Sequence, residues 1–87
     1  MYKVKYSEAF CFKYFDKLSK DEQINVLRFI ENRIAPFPHE TGKPLKGSLK
    51  GLWSARKGIH RIIYKIDNIE VVVLVIKIDH RKDVYIK

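Results

Sequence analysis

Residues 58–67 read GIHRIIYKID, and this run decides the fold. Ile59, Ile62, Ile63, Tyr64 and Ile66 are β-branched or aromatic, the side chains that suit a pleated, half-buried surface. The run is therefore expected to be a β-strand. Alternation places Ile62, Tyr64 and Ile66 on one face and Arg61, Ile63 and Lys65 on the other. The first face suits a core. The second sets a guanidinium in the middle of a sheet, where it needs an anion. The chain is short of anions, with 18 Lys plus Arg against 10 Asp plus Glu and a formal charge of +8. The missing anion is expected from outside, and a nucleic-acid phosphate fits.

The flanks continue the pattern. Residues 52–57, LWSARK, read as a strand entering a tight turn at Lys57-Gly58, where glycine supplies positive φ. After a turn at Asp67-Asn68, residues 69–78 (IEVVVLVIKI) are apolar on both faces, as in a central strand covered on both sides. At the other end, residues 2–6 (YKVKY) alternate, with Tyr2, Val4 and Tyr6 inward and Lys3 and Lys5 outward. Outward lysines suit an edge. Ser7 can cap a helix reaching about Leu18. Ser19 and Glu22 form the capping box of a second helix, with Ile24, Leu27, Phe29, Ile30 and Ile34 on its buried side. Pro36 ends that helix and is expected to push Ala35 out of the helical region. The fold class is α+β: an N-terminal strand, an αα-hairpin, then an antiparallel three-stranded meander, with the hairpin on one sheet face. Periodicity alone leaves the place of the first strand open.

Residues 35–51 are the one long irregular stretch expected, with Pro36, Pro38, Gly42, Pro44, Gly47 and Gly51. They carry Lys43, Lys46 and Lys50 and one carboxylate, Glu40. A loop of this kind in a small domain is either a solvated connector or a functional segment in which lysines attract phosphate.

Eighty-seven residues are expected to form a single domain, residues 1–87, too small for a large enclosed cavity. The charge favours a polyanionic partner, nucleic acid or an acidic protein. One cysteine, Cys11, excludes an internal disulfide and a cysteine-based zinc site. The N-terminus shows no secretory pattern and the longest apolar run, residues 71–76, is too short to span a bilayer, so a cytoplasmic location without membrane contact is expected. No phosphate-loop, zinc-protease, serine-hydrolase or C-x-x-C motif is present, and three separated histidines make neither a metal nor a cofactor site an expectation.

These residues suit one reaction that needs no metal, phosphoryl transfer within RNA. A base takes the ribose 2′-OH proton, an acid protonates the leaving 5′ oxygen, and cations hold the charge on phosphorus. Arg61 and Arg81 are the candidate cations, because a guanidinium is planar, permanently charged and can bind two oxygens at once. Tyr85, His80 and His60 are the available proton carriers. The structural alternatives are ion pairs of the two arginines with Asp79 or Asp83, Tyr85 closing the core edge, and His60 at the surface. The residues alone stop at a basic α+β module that binds nucleic acid or an acidic partner.

GKPLKGSLKGLWSAR (42–56), HRIIYKI (60–66) and VLVIKIDHRKDVY (73–85) together resemble the RelE/ParE toxin superfamily, its RelE-like side and the archaeal members in particular. The resemblance covers nearly the whole chain. It implies a small microbial RNase-like fold and a toxin of a type II toxin–antitoxin module. It implies an endoribonuclease, an mRNA interferase that enters the ribosomal A site and cleaves messenger RNA without metal, inhibiting translation. It implies an acidic RelB-like antitoxin as partner, in a heterodimer or heterotetramer, beside ribosome and mRNA. Arg61 matches the family's central-strand arginine at the scissile phosphate, Arg81 its second catalytic arginine, and Tyr85 its C-terminal tyrosine. His80 joins the catalytic candidates, and Lys43, Lys46, Lys50, Arg56, Lys57 and His60 the candidate RNA contacts. Leu52 and Ser54 stand where lysines occur in the best-studied bacterial type, which leaves the general base open among His80, Lys46 and Lys50. The family's C-terminal helix is missing or truncated. The alternatives are a ParE-like inhibitor of DNA gyrase and a non-catalytic basic module bound only to an acidic antitoxin.

Overall fold

The computed structural model describes residues 1–80, the last by its backbone only. Its elements follow the turn and cap signals of the chain. After β1 (Lys3–Tyr6), the Ser7 hydroxyl accepts a 3.0 Å hydrogen bond from the Phe10 amide and so caps a widely wound helical segment, Ala9–Tyr14. A tight turn, Phe15–Lys17, closes that segment. Ser19 then opens α1 (Lys20–Phe29) with both halves of a capping box: its hydroxyl accepts from the Glu22 amide at 3.2 Å, and the Glu22 carboxylate accepts from the Ser19 amide at 2.9 Å. A wide turn, Ile30–Ile34, extends the helix. The one-turn helix α2 (Pro38–Thr41) and the short strand β2 (Lys43–Pro44) follow, then β3 (Trp53–Lys57), β4 (His60–Asp67) and β5 (Val72–His80).

The five strands form one sheet in the order β1-β5-β4-β3-β2. β1 runs parallel to β5, and every other pair is antiparallel. The GIHRIIYKID strand is thus the middle of the sheet. Gly58 and Ile59 make the two-residue loop between β3 and β4, with Gly58 at φ 62°, the left-handed value that a tight hairpin needs first.

One irregularity sets the phase of the sheet. Ile63 pairs with Lys77 but Tyr64 pairs with Val75, so Ile76 is an extra residue on β5. The Ser7 hydroxyl donates to the Ile76 carbonyl and satisfies it. Beyond this bulge the alternation of β5 is reset, which brings Val73, Val75 and Ile78 to one face. These three join Ile62, Tyr64 and Ala55 from the neighbouring strands and Phe10, Val26, Ile30 and Ile34 from the helices in one core. The bulge thereby turns Lys77 and Asp79 onto the face that carries Arg61 and Ile63.

Several expectations change. The sheet has five strands, because the 35–51 stretch contains α2, β2 and a tight turn at Gly47–Leu49. The first strand takes an edge beside β5. β5 begins at Val72; Ile69 is 94% exposed in the turn before it, whose amides at 69 and 70 bond the Asp67 carboxylate. Ile24 lies outside the core, which takes Val26 instead, because Val26, Ile30 and Ile34 share a four-residue spacing. Ala35 stays helical at φ −61°, ψ −46° despite the following proline, its carbonyl accepting from the Tyr2 amide at 3.0 Å. No helix among the described residues is long and apolar enough to cross a membrane.

Candidate functional site

The described helices pack on one face of the sheet, and Arg61 stands on the opposite face. Cross-strand register fixes its neighbours. In one row Arg56 stands opposite Arg61, which stands opposite Asp79. In the next, Lys43, Ser54, Ile63 and Lys77 follow one another across four strands. Residues directly opposed across antiparallel strands have their Cβ atoms about 5 Å apart, and like charges there repel. The Arg56–Arg61 pair is therefore a built-in cost that a bound anion would remove. The Asp79 carboxylate, across from Arg61 in register, lies 3.5 Å from the Lys77 ammonium. Among the described residues no carboxylate pairs with Arg61.

An open groove of about 540 Å³ lies on this face, lined by Thr41, Lys43, Leu45, Ser54, Arg56 and Arg61. Its described lining contains three cations and no carboxylate.

The groove wall is held by a buried latch. Tyr64, fully buried, donates its hydroxyl to the Pro38 carbonyl at 2.7 Å, fixing α2 over the end of the sheet. Gly42 packs so close that a Cβ there would stand 2.1 Å from the Tyr64 hydroxyl oxygen and 2.9 Å from the Ser54 carbonyl oxygen. Only glycine fits, and the next residue, Lys43, is thereby set against Ser54 beside the arginines. Thr41 is tied in turn by its hydroxyl to the Arg33 carbonyl at 2.7 Å. Burial pushes the Tyr64 phenol up to about 12, against a partial lowering from a hydrogen bond with the Gly42 backbone, so Tyr64 holds its proton and acts as structure.

The candidate residues fall into separate places in the fold. Lys43, Arg56 and Arg61 come together in the groove. His60 does not join them. It lies on the helix side of β4, its Nε2 3.5 Å from the Glu22 carboxylate of α1, because neighbours along a strand point to opposite faces. Lys57, opposite His60 in register, shares that side. Lys46 and Lys50 are exposed on the loop flanking Gly47–Leu49, outside the groove lining. The backbone of His80 ends β5 opposite His60. Arg81 and Tyr85 lie outside the described residues. Thr41, Leu45 and Ser54 are groove residues with no signal of their own in the sequence. The described His, Cys, Asp and Glu residues form no group of three or more suited to hold a metal ion.

The family model for the ParE toxin of type II toxin–antitoxin systems matches residues 12–85. The chain belongs to this toxin family. Toxin RelG of Mycobacterium tuberculosis is 38% identical over 60 residues, 69% of either chain. Among solved structures, the toxin–antitoxin complex RelBE2 from the same organism matches with a TM-score of 0.87 and 31% identity, covering 92% of this chain and 98% of that one. The archaeal RelE–RelB complex from Pyrococcus horikoshii OT3 gives a TM-score of 0.67 at 24% identity, over 92% of this chain and 94% of that one, a likeness of fold alone. The family's small α+β sheet thus carries, in this toxin, a cationic groove on the face opposite the helices, with no carboxylate in its described lining.

Proposed function

We propose that this toxin is a metal-independent endoribonuclease that cleaves messenger RNA in the ribosomal A site and so arrests translation. The observation that carries this reading is Arg61, which pairs with no carboxylate among the described residues, facing Arg56 and beside Lys43 in a groove whose described lining holds no carboxylate. In this reading the ribose 2′-oxygen attacks the adjacent phosphorus and gives up its proton to a base. The P–O5′ bond breaks, and the 5′ oxygen receives a proton. The products are a 2′,3′-cyclic phosphate and a free 5′-OH. Arg61 binds the non-bridging oxygens, whose charge grows in the transition state, and Arg56 and Lys43 add field at close range. The described lining holds neither imidazole nor carboxylate, so the proton carriers of this reading are His80 and Tyr85, with Arg81 as the second guanidinium. The partner is an acidic RelB-like antitoxin, as the toxin–antitoxin complexes among the structural relatives suggest. The site of action is the cytoplasm.

Primer extension on mRNA from cells expressing the chain tests this directly. Cuts within codons, lost when Arg61→Ala and Arg81→Ala are combined in a folded protein, are the expected result. Equal toxicity of the double variant would sink the catalytic assignment. The match to a ParE toxin model leaves one second reading, taken from the resemblance to ParE-type toxins: a non-enzymatic inhibitor of DNA gyrase. Inhibition of supercoiling by the purified chain, with mRNA left intact, would establish it.

A further inference from the structure

A second basic depression adjoins the groove and has no part in the chemistry above. It is an open cleft of about 590 Å³ between α1 with its following turn and the β3–β4 hairpin. Asn25, Arg28, Asn32 and Arg33 line it from the helix, and Arg56 and Lys57 from the hairpin. Asn25, Arg28 and Asn32 recur at helical spacing, so three polar side chains stand in one row. Among the described residues no carboxylate lines the cleft. Glu22, one turn earlier on α1, is engaged with His60. Among the described residues no carboxylate pairs with Arg28, Arg33, Arg56 or Lys57.

Cleft and groove are joined. Thr41 and Arg56 line both. β2 pairs β3 only at Trp53 and Ser54, which leaves Ala55 to Lys57 as an uncovered edge over which a chain can pass.

We propose that the cleft binds the sugar–phosphate backbone of the same RNA strand beyond the reacting phosphate, so that the strand runs from the Arg61 groove over Arg56 into the Arg28–Arg33 cleft. The inference rests on the reading of the groove as an RNA site. RNA is favoured over an acidic protein by the lining itself. Guanidinium, ammonium and carboxamide donors suit phosphate and sugar oxygens. Phe29 is the one large apolar side chain there, whereas protein interfaces are anchored by buried aromatic and aliphatic groups.

The test uses the full chain and non-cleavable 2′-O-methyl oligonucleotides of two lengths, a tetranucleotide and one of about twelve nucleotides, which bracket the footprint of a short single-strand site. Binding is read by fluorescence anisotropy across a salt series. Arg28→Gln combined with Arg33→Gln is expected to weaken the longer oligonucleotide roughly tenfold, to lower its salt slope by about 1.4, and to leave the tetranucleotide unchanged. Lys3→Gln with Lys5→Gln, the same charge removed from the far sheet edge, is expected to leave both unchanged. Equal weakening at both lengths, no weakening at either, or a loss confined to binding of poly-glutamate would overturn the proposal. Arg61→Gln separates it from the reading of the groove. If that variant binds the tetranucleotide as the parent does while the length-dependent loss persists, the cleft stands and the groove assignment falls. If Arg61→Gln abolishes tetranucleotide binding while the arginine pair proves neutral, the groove stands and the cleft falls.

Discussion

Arg61 and Ile62 are neighbours in the chain and live in different media. Ile62 is sealed under the helices; Arg61 stands on the other face with another guanidinium opposite. The apolar face is organised for stability, and every described side chain of its core cluster is satisfied by packing. The cationic face is organised against stability, with Arg56 and Arg61 in register and no carboxylate between them. A sheet that tolerates such a pair in its middle rows keeps one face for holding the fold and the other for something outside it.

Breaking the two faces should give opposite signatures. Arg61→Ala should lower RNA cleavage by about 10²–10³-fold, as expected for loss of a transition-state cation, while its urea midpoint equals or exceeds the parent's because the repulsion with Arg56 is gone. Ile62→Ala should do the reverse and cost about 2–5 kcal/mol in urea denaturation, through lost burial and a cavity. A variant of Arg61 that unfolds the protein would erase the distinction.

Two changes probe the latch between the faces. Gly42→Ala forces a methyl into the Tyr64 hydroxyl and the Ser54 carbonyl and should cost about 1–3 kcal/mol, with cleavage falling further than stability because Lys43 is displaced. Tyr64→Phe leaves the Pro38 carbonyl without its donor and should cost about 1–3 kcal/mol by the same measurement. It should also change the alkaline limb. The Tyr64 phenol ionises near 10.0 in the unfolded chain and about 12 in the folded one. Its contribution to stability is therefore complete below pH 10 and is lost as pH rises from 10.0 through about 12. Urea midpoints measured over that window should fall less steeply in the phenylalanine variant.

The smallest effect expected is a gain. Val71 sits at φ 57°, in the left-handed region that a β-branched side chain resists. Val71→Gly should raise stability by about 1 kcal/mol, seen as a higher thermal midpoint, with cleavage unchanged.

The sequence carried a good deal of this. The period-two pattern of residues 60–67 placed Ile62 and Tyr64 in the core and Arg61 on the other side, and the Ser19–Glu22 spacing announced the start of α1. Other features were beyond local pattern. The bulge at Ile76 leaves no mark, because isoleucine suits either face of a strand. The tie from Tyr64 to Pro38 joins residues 26 positions apart, and strand periodicity reports only that Tyr64 is inward. His60, a candidate proton carrier and RNA contact by residue type, lies on the opposite face from Arg61, as alternation along a strand requires of adjacent residues. The groove itself is a product of register, and register needs all the strands at once.

The parallel pairing of β1 with β5 has a consequence in time. Lys3 finds its partner at Val72. The first strand to leave the ribosome has nothing to pair with until almost the last has followed. Arg61 can meet Arg56 as soon as one hairpin forms, but the sheet that makes their face rigid closes only when both ends of the chain are present. A nascent chain of this toxin therefore presents no rigid cationic face until its last described strand has emerged.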